Sequence, residues 1–194
     1  MAAPLRIPHA PLSDAEWESL LPFIPRRVIK RGRPCDLRAH FDAIFRVAAT
    51  DGPWRELPEE FGNSGTIARH FRRLTHAGLW ERLLLALACA SRHHIILRLE
   101  RIICRATRRA IRIRGLALIV LIRRLHLKRA LPGPPWMVAD PDLSETIRSL
   151  PLPRILAETR AEYERVLTWF KAAKRVFRVA RGRRFIPRDI KAIW

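Results

Sequence analysis

Cysteine is scarce in this chain. Cys35, Cys89 and Cys104 are the three among 194 residues, with no CxxC spacing and no paired histidines at zinc-finger distance. That pattern argues against a zinc site and a disulfide framework, and an odd count suits a reducing cytoplasm. His93 and His94 are adjacent, so on a helix their rings diverge and read as a surface pair. Long apolar runs are missing as well: the longest, Gly115 to Ile122, falls far short of the roughly 20 residues a membrane-spanning helix needs. Met1 to Pro11 holds one arginine and no apolar stretch, so no secretory signal is read there. No glycine-rich phosphate loop, Ser-His-Asp order, strand-like alternation or internal repeat occurs, and nothing implies a cofactor. The last shortage is of acid: 18 Asp and Glu stand against 38 Lys and Arg.

What remains is apolar and basic. Hydrophobic residues make up 48% of the chain, enough to build a core and too many for wholesale disorder. A net charge of +20 and a sequence pI near 11.6 favour a polyanionic partner, nucleic acid first and an anionic membrane surface second. The charge is uneven. Residues 1–90 carry 13 basic and 10 acidic side chains, whereas residues 91–194 carry 25 and 8. On that contrast the chain divides into a domain over 1–90 and a basic region over 91–194, with a Pro-rich turn at 131–136.

The local pattern is helical throughout. Ser13 and Glu16 form a capping box ahead of Trp17, Leu20 and Leu21. Asp36 can cap a second helix whose apolar residues Leu37, Phe41, Ile44, Phe45 and Ala48 recur at three and four, until Asp51-Gly52-Pro53 stops it. A short third helix is expected over Leu57–Phe61, ending at Gly62. A fourth follows Asn63 or Ser64, with Ile67, Phe71 and Leu74 inward and Arg69, His70, Arg72 and Arg73 outside or on the flanks. A fifth begins at Leu79. A basic amphipathic helix follows Ile95, with Gly115 interrupting before a more apolar helix ending near Arg129. Two more helices are expected over Asp142–Leu150 and Pro153–Ala180. The fold class is all-α.

Residues 57–74 have the layout of a helix-turn-helix, whose second helix suits a DNA groove. Arg69, Arg72 and Arg73 are the primary DNA-contacting candidates, because a planar guanidinium grips guanine or phosphate with two parallel bonds. Thr66 and His70 are secondary candidates. Arg31-Gly32-Arg33-Pro34 is the core of an AT-hook, open to two readings: Arg31 and Arg33 enter a narrow minor groove, or the segment is a plain basic linker. Trp17, Trp54 and Trp80 sit beside periodic apolar partners and read as core.

The run Leu12-Ser13-Asp14-Ala15-Glu16-Trp17, then Arg31-Gly32-Arg33-Pro34, Phe41-Asp42-Ala43-Ile44, Gly52 through Gly62, Phe71-Arg72-Arg73-Leu74 and Gly78 through Leu83 resembles the N-terminal domain of bacterial insertion-element transposases. The resemblance is to the insertion sequence five group, in the branch similar to insertion sequence four hundred and two, and covers residues 12 to 88. It implies a helical domain that recognises the ends of a mobile element. In complete members such a domain precedes a ribonuclease-H-like domain whose Asp, Asp and Glu hold two metal ions. Two divalent ions about 4 Å apart need converging carboxylates. Here Ser91-Arg92-His93-His94-Ile95-Ile96-Leu97-Arg98 stands where the first acidic segment is expected. Asp140, Asp142 and Glu145 read as a turn and helix start. Glu158, Glu162 and Glu164 have largely helical spacing and basic neighbours, as on a solvated face. No catalytic residue and no metal ligand is therefore assigned. A catalytic subunit acting in trans is the partner the resemblance implies beside DNA.

Three readings are open for the second half, one of them that residues beyond about 91 come from a decayed or frame-shifted element and have no selected function. The stripe Arg98, Arg101, Arg105, Arg108, Arg109 and Arg112 suits salt-sensitive phosphate binding. The helical stretch 95–130, basic on one face and Ile/Leu-rich on the other, equally suits an anionic membrane surface, which makes a membrane-surface or interaction protein the alternative function.

Overall fold

The computed structural model describes residues 6–25, 36–153, 159–187, 189–190 and 194. Among them every regular element is helical: α1 Asp14–Leu20, α2 Leu37–Thr50, α3 Ser64–His76, α4 Leu79–Cys89, α5 Glu100–Arg114, α6 Leu116–Arg124, α7 Pro141–Ser149 and α8 Arg160–Arg181. The fold is all-α. The helix starts follow their local chemistry. Ser13 and Glu16 close a reciprocal capping box on α1, and Asp36 accepts from the Ala39 amide to open α2. Asp140 accepts from the Leu143 amide at 3.1 Å to open α7, and Thr159 with Glu162 repeats the box at α8.

One expected helix is absent. Leu57–Phe61 contains only the 3-10 turn Glu59–Phe61, preceded by a second such turn at Trp54–Glu56. Pro58 holds Leu57 extended, at φ −64° and ψ 128°, so helical hydrogen bonding cannot run through this pair. The connection into α3 is thus a pair of single turns.

The chain divides into two compact units, residues 1–130 and 131–194. In the first, α5 is the central element and packs against α2, α3 and α4. Its Ile102, Ile103, Cys104, Ala106, Thr107, Ala110 and Ile111 are buried, and the small Ala106 and Ala110 admit close neighbours. The boundary at residue 90, drawn from the charge contrast, falls inside this unit. Charge density reports surface composition, whereas a unit ends where apolar faces stop meeting, and the apolar face of α5 meets three earlier helices. In the second unit α7 packs on α8. The end of α8 is tied to an extended segment: the Asp140 amide donates to the Ala180 carbonyl at 2.7 Å, and the Arg183 amide to Met137 at 2.8 Å. Gly182 permits this crossing, since a Cβ there would lie 2.6 Å from the Ala139 nitrogen.

Candidate nucleic-acid interface

Helix α3 is aimed by what lies on either side of it. Gly62, at φ 82°, lets the chain reverse, and Asn63 caps the new helix through the Thr66 amide at 3.1 Å. The inner face then locks into aromatic core. The Phe71 ring lies 5.2 Å from Trp54 and 5.3 Å from Trp80, centroid to centroid. The Trp80 indole donates to Thr75 Oγ1 at 2.8 Å, and that hydroxyl donates to the Phe71 carbonyl at the same distance. Ile67 and Leu74 complete the buried side. Trp80 is fully buried and Trp17 packs edge-on to Phe41, so the tryptophans of this unit serve the core.

The outer side carries Arg69, Arg72, Arg73 and His76, all exposed, with Thr66 half-buried beside them. These four basic residues follow the spacing i, i+3, i+4, i+7 and so share one face. The helix contains no Asp or Glu to neutralise them. Arg69 approaches Thr66 Oγ1 at 3.4 Å, a long contact that leaves the guanidinium adaptable. His76 was not singled out from the sequence, although the same arithmetic that joins Arg69, Arg72 and Arg73 reaches it.

His70 is a correction. Expected outside or on a flank, it is buried at 1% exposure, and its ring lies 4.9 Å from that of His40. Ile67, His70, Phe71 and Leu74 share the periodicity of the inner face, so the position was readable as inward. Desolvation by burial, reinforced by His40 and Arg73, pulls its pKa down to about 4. It is therefore a neutral imidazole at ordinary pH.

The arginine stripe of the second half behaves differently. Arg105 Nε donates to the Ala48 carbonyl at 2.9 Å, Arg109 Nη1 to Gly52 at 2.9 Å, and Arg108 donates to Arg129 through Nε at 2.9 Å and Nη2 at 2.6 Å. Ala48 belongs to the last turn of α2 and Gly52 lies just beyond it, where carbonyls lack intrahelical donor partners and the helix dipole favours a cation. Arg109 is 9% exposed in its side chain, stacks 4.9 Å over the Trp54 ring and lies 3.9 Å from Asp51. Burial lowers the pKa of all three guanidinium groups, and Asp51 opposes the shift at each. These three side chains are fastened to the backbone of their own unit.

The membrane reading of residues 95–130 loses its basis for the same reason. The apolar face of α5 is already covered by α2, α3 and α4, and no helix among the described residues is long and apolar enough to cross a membrane. Arg31 and Arg33 lie outside the described residues. Among the described residues no group of three or more His, Cys, Asp or Glu is placed to hold a metal ion. Cys104 is packing material, its thiol pushed up to about 12 by burial.

Comparison with known proteins bears on this first unit. Residues 12–84 match the family described as "Putative transposase of IS4/5 family". The chain is also similar to the "Uncharacterized protein y4sN" of Sinorhizobium fredii (strain NBRC 101917 / NGR234), 33% identical over 78 residues, which are 40% of this chain. The matched stretch spans 62% of that relative's length. No solved structure matches the chain.

Proposed function

We propose, from the match of residues 12–84 to the family of putative IS4/5 transposases, that this protein is a transposase-related DNA-binding protein that recognises the ends of an insertion element through α3. The observation that carries the reading is the exposed face of Arg69, Arg72, Arg73 and His76 on an acid-free helix, held rigid from behind by Trp54, Phe71 and Trp80. A rigid helix with arginines along one side is what the major groove admits, since each guanidinium can take both acceptors of a guanine edge. Thr66, near the helix N-terminus, would meet a phosphate or base edge in this reading. The single turns before α3 would then take the place of the first helix of a helix-turn-helix. Arg31 and Arg33 remain candidates for the adjoining minor groove. The cytoplasm, where chromosomal DNA is reached, is the compartment this role requires.

The chemistry of strand transfer is assigned to a partner. With Asp140 occupied in capping α7, the acids of the described residues support no two-metal site, and a catalytic subunit in trans fits that arrangement. Gel-shift titration of the full chain with the inverted repeats flanking its coding region tests the reading. Binding to those repeats at least tenfold tighter than to scrambled duplex is expected; equal affinity would overturn end recognition.

A further inference from the structure

The two units use aromatic residues in opposite ways. In residues 1–130 the large exposed apolar side chains, Leu21, Leu85, Ile95 and Leu116, are all aliphatic, and the rings are built into the core. In residues 131–194 Trp136, Tyr163, Phe170, Phe177 and Phe185 all stand exposed. Three of these lie on α8, Tyr163 at 59%, Phe170 at 42% and Phe177 at 39% exposure. With Leu167, Lys174 and Arg181 they follow alternating four and three spacing, so ring and cation succeed one another along one side of the helix. The contacts with α7 leave this side open: Glu162, Val166, Trp169 and Ala173, on the neighbouring face, are the more covered residues.

We infer that this face of α8 binds single-stranded nucleic acid, the rings stacking on bases and Lys174, Arg181 and the flanking Lys171 and Arg178 meeting phosphates. Charge selects the occupant. Residues 160–181 contain seven Lys or Arg and two Glu, so a second copy of the helix would bring like charges into the seam, whereas a polyanion neutralises them. The rings select among polyanions, because duplex phosphates are met by cations alone and leave aromatic faces in water, while an unpaired strand offers a π-face at every base. Rings seven residues apart are about 10 Å apart along a helix, within the span of two extended nucleotides. The inference is independent of the α3 reading, since α8 lies outside the family-matched segment and in the other unit.

Fluorescence anisotropy of the full chain with a 15-nucleotide oligo(dT), beside a mixed-sequence duplex of equal length, provides the test. The double variant Phe170→Leu/Phe177→Leu keeps apolar bulk on an exposed helix face. It is expected to weaken oligo(dT) binding about tenfold or more and leave the duplex isotherm and the far-ultraviolet spectrum unchanged. Lys174→Glu is expected to reduce the salt dependence of oligo(dT) binding. No oligo(dT) binding by the native chain, or equal binding by the double variant, overturns the inference. Ring-dependent binding to phosphatidylglycerol vesicles without oligo(dT) binding would give the face to lipid and overturn it as well. Loss of inverted-repeat recognition with oligo(dT) binding intact would count against α3 alone.

Discussion

Helices α3 and α5 look alike as sequence and differ in use. Both are amphipathic, both carry arginines at helical spacing, and α5 is the richer of the two, with Arg101, Arg105, Arg108, Arg109, Arg112 and Arg114. Yet the arginines of α3 stand in solvent, while Arg105, Arg108 and Arg109 of α5 donate to backbone carbonyls of their own unit. The difference arises from neighbours. Helix α5 runs past the end of α2, where unpaired carbonyls need donors, and a long side chain with a forked donor group supplies them. Helix α3 presents Arg69, Arg72 and Arg73 to solvent, on the side away from its buried Ile67, Phe71 and Leu74. A high density of positive charge is thus a poor guide to a nucleic-acid surface until the backbone it can bind is known.

The contrast can be broken or sharpened by substitution. The largest effect is expected from Arg69→Ala/Arg72→Ala/Arg73→Ala, which should cost about 1–3 kcal/mol of DNA binding per arginine while leaving the denaturation midpoint nearly unchanged. A triple variant that binds inverted repeats like the native chain would end the distinction between the two helices. Next comes acid sensitivity from the inner side of α3. His70 accepts a proton near pH 6.5 when unfolded and only near 4 when folded. Protons therefore favour the unfolded chain: stability is complete above about pH 6.5 and declines as pH falls from there to about 4, by on the order of 3 kcal/mol. Denaturant titrations across that range should show the slope, and His70→Gln should flatten it, with the lowered pKa values of His9 and His40 contributing what remains. A slope that persists in full would remove His70 as its cause.

Arg109→Ala is expected to destabilise the first unit by about 2 kcal/mol, through the lost bond to Gly52 and the stacking on Trp54, with inverted-repeat affinity unaltered once the chain is folded. Urea midpoints and binding isotherms measured on one preparation distinguish the two effects; weakened binding with intact stability would move Arg109 to the interface. The smallest change is expected at His76, where alanine should weaken DNA binding only a few-fold, as suits a short side chain at the end of the arginine row. A loss as large as that from Arg72→Ala would make His76 a principal contact.

Much of this was legible locally. The capping box at Ser13 and Glu16, the caps at Asp36, Asn63 and Asp140, and the apolar stripe of α2 all depend on residues within four positions of one another, and each was readable without the rest of the chain. The outward placement of Arg69, Arg72 and Arg73 followed from the same counting. His70 was misplaced although its phase matches Ile67, Phe71 and Leu74; its polarity outweighed its position. Leu57–Phe61 was read as helix although Pro58 forbids helical bonding through its own amide and constrains Leu57.

The roles of Arg105, Arg108 and Arg109 were illegible for another reason. Their acceptors, at Ala48, Arg129 and Gly52, are 57, 21 and 57 residues away in the chain, and no local period encodes them. The same holds for the extent of the first unit. Residues 12–84 carry the family's pattern, but the face they bury is completed by α5, which begins at Glu100.

By itself the sequence determined where helices begin, which side of each is apolar, and that the chain as a whole is strongly cationic, because capping, periodicity and net charge are properties of neighbouring residues and of sums. Only the tertiary structure decided which cations are exposed and which are fastened inside, and that the rings of the second unit face outward. Those outcomes depend on which carbonyls and apolar faces distant segments bring together, and a guanidinium takes the acceptor that packing places beside it.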